Sequence, residues 1–195
     1  MVTIRHERPS DIAAREALLN QCFGGARFTK ASERLREGRL PAEGLSFVAT
    51  DRGRLAGTVR LWHVSAGPGR PALLLGPLAV RPDCRGRGIG AALMAYAIAE
   101  ARARGHPEIL LVGDEPYYAR FGFSAAATGA LSLPGPFERH RLLSLSLAGE
   151  RGTAAGLVRA TGAPAPGLPR PPATCRSAAA GRDCHTPLDL VRHSA

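Results

Sequence analysis

The sequence lacks several features that would assign a chain to a class at once. Its 195 residues contain no apolar run of about 18 residues, so no transmembrane helix is predicted. Residues 1–7 lack the basic segment followed by an apolar segment that is typical of a secretory signal. We therefore expect a cytoplasmic protein.

Cysteine is also scarce, and its spacing carries no metal-binding pattern. No two of the cysteines form a Cys-x-x-Cys pair. In a cytoplasmic chain such thiols are expected to be reduced. We predict neither a metal site nor a disulfide framework from the four positions, which are Cys22, Cys84, Cys175 and Cys184.

Lysine is almost absent, although the formal net charge is +10. Lys30 is the only lysine, so the excess of basic residues is a bias towards arginine. The arginines are dispersed, and aromatic residues make up only 5% of the chain, so the interleaving of a single-strand nucleic acid binder is missing. The charge favours a polyanionic cofactor over nucleic acid.

The composition changes near residue 148, which suggests a domain boundary. Apolar periodicity is lost there, and five prolines fall within residues 164–172. Such a segment buries too little apolar surface to offset the entropy of ordering it. We predict one domain over 1–147 and a Pro/Ala/Arg-rich tail over 148–195 that is irregular or disordered.

Within the first 147 residues, apolar periodicity and turn signals predict a mixed α/β domain. Its last two strands are predicted to form a hairpin around Pro134-Gly135-Pro136. The predicted strands are 2–5, 45–50, 55–64, 73–80, 108–112, 129–133 and 142–147, and the predicted helices are 12–23, 29–38, 91–104 and 117–121.

The stretch from Leu73 to Gly105 has the form of an anion-binding site. An apolar strand, Leu73 to Val80, leads into Arg85-Gly86-Arg87-Gly88-Ile89-Gly90 and then directly into a helix. Unpaired N–H groups at a helix start carry partial positive charge, and glycines let an anion approach the backbone closely. This pattern predicts a phosphate-binding turn.

Two common phosphate-binding motifs do not fit this turn. A dinucleotide-binding fold places its first glycine directly after the strand and an acidic residue about 20 residues on, and neither feature is present. A Walker A loop requires Gly-Lys-Ser/Thr, which does not occur.

The spacing Arg85-x-x-Gly88-x-Gly90 resembles the acetyl-coenzyme-A signature of the GNAT acetyltransferases. Three other features fit that family: a strand ending in Leu78-Ala79-Val80, a second strand after the helix, and Tyr118 four residues before Gly122-Phe123. Residues 112–123 and 131–137 resemble the YhbS-type branch of the family. The resemblance covers about residues 2–147.

The resemblance implies a GNAT fold: an α/β domain with a bulged, mostly antiparallel sheet and one parallel pair. It implies acetyl-CoA as co-substrate. It also implies a backbone N–H near Leu78 that donates a hydrogen bond to the developing oxyanion. The residues that it implies for cofactor binding are Leu78, Ala79, Val80, Arg85, Gly86, Arg87, Gly88, Ile89, Gly90, Ala91 and Tyr118.

For catalysis, the family spacing selects Tyr118 as the general acid that protonates the leaving thiolate, with Tyr117 left as a packing residue. The general base is unresolved, and Glu115 is our first choice because it precedes the tyrosine helix. The other carboxylates and the histidine that we consider for this role are Glu43, Asp51, Asp114 and His63.

The acceptor side is the least determined part of the sequence. Arg27, Lys30 and Arg34 lie where the family lines its acceptor cleft, and either selection of an acidic acceptor or a solvated helix face explains them. Arg60 and Trp62 share a strand face and line either the acceptor pocket or the core.

We predict an N-acetyltransferase that acts on a primary amine of a small molecule or peptide by direct attack. The alternatives are a non-catalytic acyl-CoA-binding or regulatory module, and nucleic acid binding through the basic tail. The resemblance leaves a homodimer open, and we expect no membrane partner.

Overall fold

The computed structural model describes residues 1–149 and 152–166, which contain nine strands and four α-helices. The strands are β1 Val2–His6, β2 Ser46–Asp51, β3 Arg54–Ala66, β4 Pro71–Leu75, β5 Ala79–Val80, β6 Glu108–Val112, β7 Ala130–Ser132, β8 Leu142–Ser146 and β9 Ala155–Ala160. The helices are α1 Ile12–Phe23, α2 Ala31–Arg34, α3 Ile89–Ala103 and α4 Glu115–Tyr118.

The 13-residue strand β3 is the centre of the sheet and pairs with β2, β4, β5 and β9. Successive side chains of a strand point to opposite faces, and both faces of β3 are covered. Val59 and Leu61 pack in the apolar cluster that contains Leu93 of α3, whereas Trp62 and Val64 pack in a second cluster. The sheet therefore lies between two layers, as in other mixed α/β domains.

The main path of the sheet runs β1-β2-β3-β4-β6-β8. Its only parallel pair is β4 with β6, which α3 connects, and its other pairs are antiparallel. This arrangement confirms the predicted mixed sheet. A second parallel pair, β7 with β9, lies off the main path.

The strand predicted over Leu73 to Val80 is divided into β4 and β5. Opposite β3, Leu75 pairs with Leu61 and Ala79 pairs with Thr58. The chain therefore advances by four residues, from 75 to 79, where β3 advances by three, from 61 to 58. The single extra residue is a bulge, which turns the strand away from its neighbour.

The predicted hairpin of the last two strands is wrong. Strand β8 pairs antiparallel with β6, and β7 pairs with β9 instead of β8. Leu131 and Leu133 enter the apolar cluster of Trp62 rather than facing β8 as hairpin partners. Burial of these two leucines favours the alternative pairing.

The prediction that the chain is irregular from residue 148 is wrong for residues 155–160, which form β9. Val158 is buried and pairs with Ala66 of β3, so the tail does contribute to the core. The following residues bind the loop after α2: Ala163 O accepts from Leu40 N at 2.8 Å, and Ala165 N donates to Gly38 O at 2.9 Å. The domain therefore extends beyond the predicted boundary at 147, while residues 167–195 lie outside the described residues.

A buried ion cluster connects α1 with the end of β1 and with β3. The Glu7 carboxylate, only 4% exposed, accepts from Arg60 at 2.6 and 2.7 Å and also from Arg15. Burial raises the pKa of Glu7, although the charge of Arg15 acts to lower it. One carboxylate thus balances two guanidinium groups that belong to different elements.

Among these described ranges, no helix has the length and apolar character needed to cross a bilayer.

We expect Glu7→Gln to lower the free energy of unfolding by about 1–3 kcal/mol, because it removes the carboxylate that pairs with Arg60 and leaves Arg15 paired with Glu16 alone. Urea unfolding measures this loss. Glu37→Gln is the matched control, since Glu37 is exposed, and it should change stability by about 0.5 kcal/mol or less. Equal effects of the two variants would contradict a structural role for the cluster.

Candidate active site

The glycine turn after β5 brings a row of backbone donors to one surface. Gly86 and Gly88 both have φ of 75°, a left-handed conformation that other residues rarely adopt. Gly88 is the N-cap of α3, and Ala92 N is the first donor to bond back, to Gly88 O at 2.9 Å. The N–H groups of residues 86–91 find no acceptor among the described residues. These six groups can hold an anion.

The two arginines of the turn differ in their availability. The Arg87 guanidinium donates to Asp51 at 2.7 Å, and this pairing lowers the pKa of Asp51. Arg85 is exposed, and within the described part of the chain its guanidinium has no hydrogen bond or ion pair. Arg85 can therefore contact a bound anion without breaking an existing interaction.

Tyr117 lies against the same turn, which the sequence did not indicate. A Cβ atom at Gly90 would lie 3.2 Å from the Tyr117 hydroxyl oxygen, so this hydroxyl sits beside the first turn of α3. Tyr117 and Tyr118 are adjacent in sequence, and their rings are nearly perpendicular, at 86°. The two tyrosine rings therefore face different parts of the structure.

The bulge between β4 and β5 is held by two hydrogen bonds to Gly76. Gly76 N donates to Arg60 O at 2.8 Å, and the indole Nε1 of Trp62 donates to Gly76 O at 2.7 Å. Beyond this point, Leu78 N has no backbone acceptor among the described residues. The bulge thus presents a free N–H at the position where the sequence predicts an oxyanion donor.

A cavity of about 360 Å³ opens at this bulge, between the ends of β4 and β6. Its lining includes Gly76, Leu78, Gly113 and Tyr118. The α2 region and the loop before β8 also contribute to the lining. The charged residues of the lining are Arg27, Lys30, Glu33, Arg36, Asp114, Glu138 and Arg141.

Tyr118 enters this lining because residue 113 is a glycine. A Cβ atom at Gly113 would lie 2.2 Å from Cε2 of Tyr118, so the ring packs directly on the Gly113 backbone. Burial raises the pKa of Tyr118 to about 12, with smaller contributions from Tyr117 and Asp114. The hydroxyl therefore stays protonated at neutral pH and can donate a proton or a hydrogen bond.

The residues considered for the general base are scattered. Glu115 is exposed, accepts from Ala125 N at 3.2 Å and is absent from the cavity lining. Asp51 pairs with Arg87 at the glycine turn. The ring centres of His63 and His106 are 5.5 Å apart, and the two rings are tilted. Of this group and Glu43, only Asp114 lines the cavity.

Of the residues that the sequence suggests for the acceptor side, some line the cavity and others do not. Arg27 and Lys30 line the cavity, whereas Arg34 lies outside it and donates to Pro134 O at 3.2 Å. Arg60 belongs to the ion cluster of Glu7, and Trp62 packs in the core while holding Gly76.

Sequence reasoning missed Arg36 and Arg141, both of which line the cavity. Arg36 follows α2 and is 9% exposed, and Arg141 immediately precedes β8. Nothing in the local sequence distinguishes them from the other dispersed arginines.

A bulged mixed sheet with a donor-rich glycine turn and a cavity at the bulge defines the acetyltransferase fold that the sequence suggested. The model of the acetyltransferase (GNAT) family matches residues 13–123, more than half of the chain, and the chain belongs to that family. The protein is a GNAT-type N-acetyltransferase.

Among its relatives is the uncharacterized N-acetyltransferase YhbS of Escherichia coli (strain K12). The two are 33% identical over 156 residues, which cover 76% of this chain and 92% of YhbS. The crystal structure of YhbS from Escherichia coli in complex with CoA superposes with a TM-score of 0.67 at 30% identity, covering 82% of this chain and 89% of that one.

A GNAT family acetyltransferase from Brucella melitensis in complex with acetyl-CoA is also similar. Its TM-score is 0.62 at 27% identity, with 82% of this chain and 95% of that chain covered. Related proteins thus bind CoA or acetyl-CoA on this fold.

We expect Gly113→Ala to reduce acetyl transfer by about 100-fold, because the new methyl group displaces the Tyr118 ring from the cavity wall. Release of the CoA thiol measures the rate, and the dissociation constant of acetyl-CoA should change little. Gly129→Ala is the control, since a Cβ at Gly129 meets nothing within 4 Å and its φ is ordinary. Unchanged turnover in Gly113→Ala would show that the position of the ring is unimportant.

Proposed function

We propose that this protein transfers the acetyl group of acetyl-CoA to a primary amine of a small molecule or peptide by direct attack. The observation that carries the proposal is that Leu78, whose N–H has no backbone acceptor among the described residues, and Tyr118, whose hydroxyl stays protonated, line the same cavity. An oxyanion donor and a proton donor at the same reacting centre are the two groups that aminolysis of a thioester requires.

The co-substrate would bind through the backbone of the glycine turn. The N–H groups of residues 86–91 and the guanidinium of Arg85 match the charge of a pyrophosphate. From the turn, β5 leads back to Leu78, so the backbone of Ala79 and Val80 lies between the donor cradle and the cavity. An extended pantetheine arm suits this path, and its thioester would reach the cavity beside Leu78.

In the chemical step, the amine nitrogen attacks the thioester carbonyl carbon and the carbon–sulfur bond breaks. Leu78 N–H donates to the carbonyl oxygen as negative charge develops on it. Tyr118 donates its proton or a hydrogen bond to the departing thiolate. The ammonium proton of the acceptor must leave first, to solvent or to Asp114, the carboxylate of the lining whose charge acts on the Tyr118 hydroxyl.

A covalent acetyl-cysteine intermediate is not part of this proposal. Cys84, the cysteine next to the glycine turn, is 1% exposed, and Arg81 donates to its sulfur at 3.1 Å. Cys22 lies on α1 and donates to Val80 O at 3.4 Å. Neither thiol lines the cavity, which supports direct attack.

Replacement of the tyrosine tests its proposed role. We expect Tyr118→Phe to lower kcat by about 100-fold or more while the affinity for acetyl-CoA is retained, since it removes only the proton donor. The pKa of about 12 means that the wild-type rate shows no decline from Tyr118 ionisation up to about pH 10, the ordinary pKa of tyrosine.

Tyr96→Phe serves as the control, because Tyr96 packs edge-on against Phe47 away from the cavity and should retain its rate. Turnover by Tyr118→Phe at the wild-type rate across the pH range would exclude the acid role. Binding of acetyl-CoA without turnover of any amine or peptide N-terminus by the wild type would favour a non-catalytic acyl-CoA-binding module.

The difference between the two turn arginines gives a separate prediction. We expect Arg85→Ala to weaken acetyl-CoA binding by about tenfold, the effect of one charge-assisted hydrogen bond. Arg87→Ala should have a smaller effect, because Arg87 already pairs with Asp51. Isothermal titration calorimetry measures both, with Arg102→Ala, an exposed arginine near the far end of α3, as the control for net charge. A larger loss in Arg87→Ala would reverse this assignment.

A further inference from the structure

The part of the cavity lining that includes Arg27 and Arg36, which we call the α2 wall, contains arginine N–H groups without a hydrogen-bond acceptor among the described residues. Arg36 is 9% exposed and donates through Nε to Ser32 O at 3.0 Å and through Nη2 to Ser32 Oγ at 2.8 Å. Its Nη1 lies 3.6 Å from Glu33 Oε2 and is buried without a hydrogen-bond acceptor. The guanidinium of this lining residue is therefore held in place by Ser32, and one of its donors makes no hydrogen bond within the described residues.

Arg27 repeats this arrangement on the same wall. Its side chain is 12% exposed, and its Nη2 donates to Glu16 Oε2 at 2.6 Å. Its Nε is buried and has no acceptor among the described residues. Lys30, also in the lining, has its Nζ 5.2 Å from the ring centre of Phe23 and no carboxylate partner in the described part of the chain.

The two guanidinium groups are close enough to repel each other. Burial lowers the pKa of Arg36, the charge of Glu33 raises it, and the charge of Arg27 lowers it further. Unsatisfied buried donors and neighbouring like charges both cost folding free energy. A bound oxyanion next to these lining residues would reduce the repulsion between the two guanidinium groups.

We propose that the acceptor amine also carries a carboxylate or phosphate group, and that Arg36 and Arg27 bind this group. The inference rests on the proposed function for the fate of the amine, whereas the anion-binding wall stands on its own geometry. Asp114 and Glu138 line the same cavity and pair with Arg141 at 3.2 and 3.9 Å. The cavity lining thus contains carboxylates that can accept from the ammonium group as well as arginines that can donate to the oxyanion.

The volume of about 360 Å³ is shared with the thioester end of the co-substrate. Ligand pockets for drug-sized molecules begin at about 300 Å³. Small amino acids and their amides therefore fit the cavity and serve as probes.

The test compares acids with neutral amides of the same shape. Glycine, β-alanine and γ-aminobutyrate are each assayed against the corresponding amide, and O-phosphoethanolamine is assayed against ethanolamine. We expect at least one acid to exceed its neutral partner about tenfold or more in kcat/KM, and the arm that responds identifies carboxylate or phosphate. Equal rates in every pair would overturn the proposal.

Variants of Arg36 and Arg27 test whether these arginines cause the preference for acids over amides. Arg36→Met keeps an unbranched apolar stem without the guanidinium donors and should reduce the acid-to-amide ratio to about one. Arg34→Met, on α2 but outside the lining, should keep the wild-type ratio. A ratio that survives in Arg36→Met would contradict the assignment. If that variant fails to fold, Arg27→Met serves instead, and the wild-type comparison remains decisive without either.

A binding measurement separates this inference from the proposed function. Calorimetric titration of the CoA-loaded protein with the same acids and amides requires no turnover. Selective binding of an acid with no acetylation of any amine would retain the anion-binding wall and contradict the acetylation of small amines. If no acid binds selectively and each acid is acetylated at the same rate as its amide, the inference is overturned. Acetylation of the amides would still support the proposed function.

Discussion

The single extra residue between β4 and β5 is the constraint on which the rest of the site depends. A strand that continued β4 in regular register would direct alternate N–H groups to β3 and the others to β6, and none would remain for a ligand. The bulge is fixed because Gly76 is bonded through its N–H to Arg60 O and through its carbonyl to Trp62 Nε1. Trp62 therefore contributes to the site without touching the cavity. The ion cluster of Glu7 adds a second anchor, since it holds the side chain of Arg60.

The sequence predicted the donor side of the site well because that side is made of local structure. The glycine turn, the start of α3 and the position of β6 all follow from short-range patterns, and the structure places these elements within about two residues of the predicted bounds. Backbone N–H groups at a helix start need no distant partner, so a motif of six residues is sufficient to locate them. The roles of the individual turn residues remain predictions.

The acceptor side could not be predicted in the same way, because it is made of distant contacts. Arg36 lines the cavity together with residues from 111–114 and 133–141, which lie far from it in sequence, and nothing in its neighbours distinguishes it from the exposed Arg34. Strand β9 was missed for a related reason: its sequence has weak apolar periodicity, and its pairing with β3 supplies the burial of Val158. The role of Glu115 remains a prediction, and its position outside the cavity lining could not be foreseen, because local sequence does not determine which way a side chain on a short helix faces.

The hydrogen bonds between residues 162–165 and the loop after α2 have an evolutionary consequence. Leu40 N bonds to Ala163 O, Arg39 Nη1 bonds to Gly162 O at 2.8 Å, and these contacts fix the chain just beyond Arg36. The family model matches residues 13–123, so residues 162–165 lie outside the matched range. We therefore expect relatives that keep the same glycine turn to differ in the position of the loop after α2 when their carboxyl-terminal segments differ.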